Sequence, residues 1–161
     1  MTAPAPPPAL LSDLLAPARI AVGVEAATKA EALAALLALL DGHGAVHDAA
    51  RLHADVETRE ALMSTGVGEG LALPHARTSA VTATVAALAT FASPVDWDAI
   101  DGAPVTLALL FAGPEGERAG HVRFLARASR VLSASGVRQR LEGAPTPGAL
   151  AAALAEAERA G

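Results

Sequence analysis

The 161-residue chain is long enough for one ordinary domain with a core of its own. It is 52% hydrophobic but only 2% aromatic, and its net charge of -5 comes with no basic block, so a nucleic-acid partner is not expected. It has no cysteine, which removes disulfides, thiolate nucleophiles and cysteine metal sites together and fits a cytoplasmic location.

Met1-Thr2-Ala3-Pro4-Ala5-Pro6-Pro7-Pro8 lacks the basic and apolar regions of a signal peptide, and residues 1–9 read as a flexible, proline-rich arm. Residues 10–161 read as a single domain with no internal repeat. The most apolar stretch, Ala30 to Leu40, falls short of the roughly 20 residues that a bilayer requires, so no direct membrane insertion is expected.

Thr28-Lys29-Ala30-Glu31 fits a capping box and precedes Leu33, Leu36, Leu37 and Leu40, a helical stripe that Gly42 can terminate. A second helix is predicted over about His47 to Met63, with Asp55 and Arg59 four apart on one face. Gly66-Val67-Gly68-Glu69-Gly70 reads as a turn whose N–H groups can line an anion site. Leu71-Ala72-Leu73 reads as a short buried strand stopped by Pro74. Val81–Phe91 and Pro104–Phe111 read as core strands, separated by a loop over Ser93–Gly102 with room for an edge strand at Val95–Trp97. A third helix is predicted over about Gly120–Ala134, a short one near Val137–Leu141, and a last one near Pro147–Arg159. Helices around a central group of strands give an α/β class, with a mixed β-sheet flanked by helices on both faces.

The chemistry concentrates at His75. Pro74 biases Leu73 toward an extended backbone, which holds the histidine rigidly at the end of a buried strand. Neutral imidazole is a good nucleophile near pH 7, and phosphoryl transfer depends mainly on positioning and electrostatics. Taken alone, such a histidine is more often structural than catalytic. Arg59 can equally pair with Asp55, His121 can be an idle helix-start residue, and Ser64 and Thr65 can serve only to end a helix. His43 and His47 lie four apart, but Gly42 and Gly44 interrupt the helix there and no third ligand has suitable spacing, so no metal site is expected.

The stretch from Arg59 to Arg77, with Arg59-Glu60, Ser64-Thr65-Gly66, Gly68-Glu69-Gly70 and Ala72-Leu73-Pro74-His75 in order and His121 downstream, resembles the type 2 (fructose–mannitol class) enzyme IIA domains of the bacterial phosphotransferase system, which include stand-alone nitrogen-related members. Similarity extends to Lys29–Leu33, Val95–Val105 and His121–Ala126, with Trp97 where the family more usually has another aromatic such as Phe. The resemblance implies that His75 takes a phosphoryl group from an HPr-like phosphocarrier protein, that Arg59 pairs with phosphate oxygens, and that His121 supports the ring or the phosphate. It implies no cofactor. Onward transfer goes either to a IIB protein in sugar uptake or into phosphorylation-dependent regulation of target proteins. Because IIB domains of this class accept on cysteine, the cysteine-free chain is expected to pass the group to a separate protein.

Overall fold

The computed structural model describes residues 10–160, and the proline-rich arm expected at residues 1–9 lies outside them. Helix α1 (Leu11–Leu14) and a 3-10 turn (Pro17–Arg19) lead into strand β1 (Ile20–Val24). Neither α1 nor β1 is foreseen in the sequence. The α1 start is held from the far end of the chain, where Glu158 accepts the N–H groups of Leu11 and Ser12 at 2.7 and 2.8 Å. Thr28 caps helix α2 (Lys29–Ala38) as expected, its Oγ1 accepting from Glu31 N–H at 3.2 Å, but the Glu31 carboxylate accepts from Ala27 N–H, one residue before the N-cap, so the expected capping box is only half formed.

Helix α3 (Ala49–Leu62) begins after Asp48, whose carboxylate accepts from Arg51 N–H. Short strands β2 (Gly66–Gly68), β3 (Leu71–Ala72) and β4 (His75–Arg77) follow. The two long strands are β5 (Val85–Val95) and β6 (Val105–Gly113). Helices α4 (Arg118–Ser133), α5 (Val137–Glu142) and α6 (Pro147–Ala160) complete the described chain.

The sheet order is β1-β5-β6-β3-β2, with β4 also on β6. The β1–β5, β3–β6 and β4–β6 pairs are parallel, while β5–β6 and β2–β3 are antiparallel, so the sheet is mixed. Side-chain alternation in the central strands sorts the core into two layers. Val85, Ala87, Ala108 and Leu110 face α2 and α3, where Leu36, Leu37, Leu52 and Val56 cover them. Ala86, Leu88, Leu107, Leu109 and Phe111 face the opposite layer, which includes Leu11, Phe124, Leu132, Leu150 and Leu154. Alanine supplies many inward positions, which lets helices approach the sheet closely despite the scarcity of rings.

Several strand boundaries differ from expectation: the turn expected at Gly66–Gly70 holds β2, and the strand expected over Pro104–Phe111 runs on to Gly113. Val81 forms only an isolated bridge with Val46, and the strand expected from that residue starts at Val85. Ser93 and Pro94, expected in a loop, and Val95, expected at the start of a separate edge strand, continue β5 to Val95, opposite Val105, while Trp97 lies outside it; the ladder is irregular between Thr90 and Val95, where Pro94 cannot donate. No helix among the described residues is long and apolar enough to cross a membrane.

Candidate functional site

Strands β3 and β4 run along the same side of β6 in one unbroken register: Leu71 pairs with Leu107, Ala72 with Ala108, and His75 with Phe111. Pro74 interrupts the ladder because it has no N–H, yet its carbonyl accepts from Phe111 N–H at 3.0 Å. His75 is therefore the first residue of β4, with the backbone fixed on both sides of it, rather than a residue just beyond a strand end.

The His75 ring is half-buried and oriented by a short local bond: Nδ1 lies 2.7 Å from the Leu73 carbonyl oxygen. A carbonyl only accepts, so the proton belongs on Nδ1 and the free lone pair on Nε2. The ring also stacks on Phe111, its cross-strand partner, with centroids 5.2 Å apart. Burial lowers the His75 pKa from its ordinary value and outweighs the Leu73 bond, which raises it; the Arg59 charge lowers it further and Glu60 acts the other way. The net effect keeps the imidazole neutral and nucleophilic near pH 7.

His121 is the fourth residue of α4 and is 8% exposed. Its ring centroid lies 5.4 Å from that of His75 and 5.1 Å from that of Phe111, so the two histidines share one aromatic support. Burial, then the His75 and Arg77 charges, push its pKa down to about 4. His121 is thus a neutral ring at pH 7, able to donate from one nitrogen.

Arg59 arrives from the last turn of α3, where its Nη1 donates to the Met63 carbonyl at 3.1 Å. It does not pair with Asp55. That carboxylate is taken by Arg51 Nε at 3.0 Å and by the Thr78 hydroxyl at 2.6 Å, and the Thr78 bond foremost holds the Asp55 pKa below the usual carboxylate range. Among the described residues Arg59 forms no ion pair, so most of its guanidinium fork remains available. His75, His121 and Arg59 all line one cleft of about 370 Å³. Arg51, Asp55, Thr58, Arg77 and Glu115 line it too, and none of these was singled out as a site residue from the sequence. A larger depression of about 670 Å³ lies elsewhere, bounded in part by Glu69, Thr106, Arg138 and Glu142, and holds no histidine.

The residue after Arg59 points inward. Glu60 is 6% exposed and accepts from Lys29 Nζ at 3.0 Å, from Thr65 N–H at 2.8 Å and from the Thr65 hydroxyl. Thr65 Oγ1 also receives the Trp97 indole N–H at 3.3 Å, and Ser64 Oγ donates to the Trp97 carbonyl at 2.6 Å. Ser64 and Thr65 thus join α3 to the Trp97 loop behind the cleft. The glycine run does not line the cleft. It turns around Asp101, whose carboxylate accepts from Glu69 N–H at 2.9 Å, and Gly68 and Gly70 take φ values of 102° and 86° there. An anion site at those N–H groups would place the anion beside a carboxylate. His43 Nδ1 accepts locally from Ala45 N–H at 3.0 Å.

Residues 13–157 match the family model described as phosphoenolpyruvate-dependent sugar phosphotransferase system, EIIA 2. A nitrogen regulatory protein of Pseudomonas aeruginosa is 36% identical over 140 residues, covering 87% of this chain and 91% of that protein. The fructose-specific EIIABC component of Bacillus subtilis is 30% identical over 131 residues; the match takes in 81% of this chain and only 21% of that longer protein. The crystal structure of the nitrogen regulatory protein IIA-Ntr from Neisseria meningitidis superposes with a TM-score of 0.82 at 27% identity, covering 89% of this chain and 98% of that one.

Proposed function

From the premise that the chain belongs to the EIIA type 2 family of the phosphoenolpyruvate-dependent sugar phosphotransferase system, we propose that it accepts a phosphoryl group on Nε2 of His75 from an HPr-like phosphocarrier and passes it to a separate IIB protein in sugar uptake. The observation that carries this reading is the bond from His75 Nδ1 to the Leu73 carbonyl, which leaves the other nitrogen free in a cleft that also holds Arg59. In the forward step the Nε2 lone pair attacks phosphorus, the N–P bond of a donor phosphohistidine breaks, and its electron pair returns to the donor ring. The His75 ring keeps its Nδ1 proton, and the positive charge it gains falls opposite the Leu73 carbonyl. Arg59 faces the phosphoryl oxygens, which carry about -1.5 to -2 charges in a phosphorylated side chain. His121 supplies a neutral donor that needs no counter-ion. Onward transfer reverses the same bonds, and with no cysteine in the 161 residues a cysteine acceptor must come from elsewhere. The expected setting is the cytoplasm.

A second reading is a regulatory one, in which the charge state of His75 selects target proteins. It is favoured by the match over 91% of the length of a nitrogen regulatory protein. The test is incubation with phosphoenolpyruvate, enzyme I and HPr. An acid-labile phosphate is expected on the wild-type chain and none on His75→Ala, while Arg59→Gln labels about 100-fold more slowly. Unaltered labelling of His75→Ala overturns the assignment. Rapid transfer from the labelled chain to a sugar-specific IIB supports transport; phosphate-dependent capture of target proteins without such transfer supports regulation.

A further inference from the structure

Arg59 is not the only guanidinium in the cleft. Arg51 is committed to Asp55, with Nε 3.0 Å from both carboxylate oxygens. Arg77 is exposed and forms no ion pair among the described residues. It sits two positions after His75 on β4, so strand alternation puts both side chains on the same face, with buried Ala76 turned to the α2–α3 layer between them.

The register on β6 explains what lies across from each. His75 is opposite Phe111 and Arg77 is opposite Gly113. The His121 ring covers both partners: it packs 5.1 Å from the Phe111 centroid, and a methyl group built on Gly113 would stand 3.3 Å from His121 Nδ1. The absence of a side chain at Gly113 is what lets the second histidine lie along this strip. His121 is thus bordered by His75 at one strand position and by Arg77 at the next one on that face. After burial and the His75 charge, the Arg77 charge also lowers the His121 pKa.

We infer that Arg77 is a second phosphate-oxygen ligand, which grips the phosphoryl group on His75 from the β4 side while Arg59 grips it from α3. The inference rests on the proposed phosphorylation of His75 and adds a residue to that site. Two guanidinium groups match the charge of a phosphoryl group with a second ionisation near pH 6, whereas Arg59 alone leaves about half of it uncompensated. The arrangement also distinguishes the two arginines. Arg59 is fastened to the Met63 carbonyl and is held in place before any ligand arrives. Arg77 is free to swing in, which suits a contact that must form on phosphorylation and release on transfer.

The test uses the unphosphorylated full chain and inorganic phosphate, with the ring signals of His75 and His121 followed by NMR at pH 7.5. In the wild type both rings are expected to shift and saturate with phosphate. Arg77→Gln is expected to weaken that binding by about fivefold or more, and Arg77→Lys to recover part of it as a point charge without the fork. Arg77→Gln is also expected to raise the His121 pKa, a readout independent of any anion, and to leave the thermal midpoint unchanged because the side chain is exposed. Phosphate binding to Arg77→Gln with wild-type affinity overturns the inference, and so does a wild-type chain whose histidine rings ignore phosphate. Labelling of His75 by HPr is scored separately: if it fails while the rings still respond to phosphate through Arg77, the carrier function falls and the anion site stands.

Discussion

The imidazole of His75 lies nearly parallel to the ring of Phe111, with centroids 5.2 Å apart and an interplanar angle of 16°. The two residues are cross-strand partners, so the stack follows from the β4–β6 register rather than from a flexible loop. Phe111 is fully buried and also meets Phe124 at 4.8 Å and His121 at 5.1 Å. In a chain with so few rings, it is the common support of both site histidines.

Phe111→Ala is therefore expected to do two things. Urea denaturation should show a loss of about 3–5 kcal/mol from the cavity it leaves. Phosphorylation of the folded fraction should slow as well, because both rings lose their support. Phe111→Leu separates the effects: it retains most of the stability while its His75 ring signals broaden.

The Leu73 carbonyl makes the site regiospecific. Nδ1 of His75 is engaged at 2.7 Å, so the phosphoryl group is expected on Nε2 alone. Phosphorus–nitrogen couplings in ring-labelled protein read this directly, and a phosphoryl group on Nδ1 contradicts the tautomer argued from the structure.

Acid should weaken the fold through His121. Its pKa is held at about 4 in the folded chain against an ordinary 6.5, so a proton binds the unfolded chain more readily. The stability that this lowered pKa contributes is complete above about pH 6.5 and is lost as the pH falls toward 4. At about 1.4 kcal/mol per pH unit the loss reaches ~3 kcal/mol by pH 4. His75, also lowered, adds in the same direction. Urea midpoints from pH 7.5 to 4 should fall less steeply for His121→Gln than for the wild type, and equal slopes exclude His121 as the source.

Glu60 is expected to be worth more than an ordinary helix carboxylate. Glu60→Ala leaves the Thr65 N–H and hydroxyl and the Lys29 ammonium without their acceptor. A loss of about 3 kcal/mol is expected by urea denaturation. Replacing Lys29 and Glu60 together by methionine should cost less than the sum of the single changes, since neither charge is then stranded.

The helices were legible where an amphipathic stripe met a capping residue, as at Thr28 and its leucines. Strand β1 was not, because five residues including Gly23 at a φ of 68° give too short a pattern. The start of β5 was misplaced because Val81 and its β-branched neighbours suit a strand equally well, although Val81 pairs only with Val46. At the site, the local residue pattern points to His75, the family resemblance adds roles for Arg59 and His121, and the structure brings all three to one cleft. Arg77 closes the family-like stretch without a role implied for it, and Arg51, Asp55 and Glu115 lie outside that stretch. Sequence spacing shows that Asp55 has arginines four residues away on either side, but only packing decides that Arg51 takes it and Arg59 is left over. Phe111 looked like any other core residue because its role depends on which residue stands opposite it.

The Lys29–Glu60 pair carries a genetic consequence. It links the start of α2 to the helix turn that bears Arg59, across 31 positions of chain. A selection for transfer-defective alleles is thus expected to return exchanges at Lys29, far from the histidine in sequence. Compensating alleles should cluster at Glu60, Thr65 and Trp97, the residues that share its bonds, rather than at the exposed rim of the cleft.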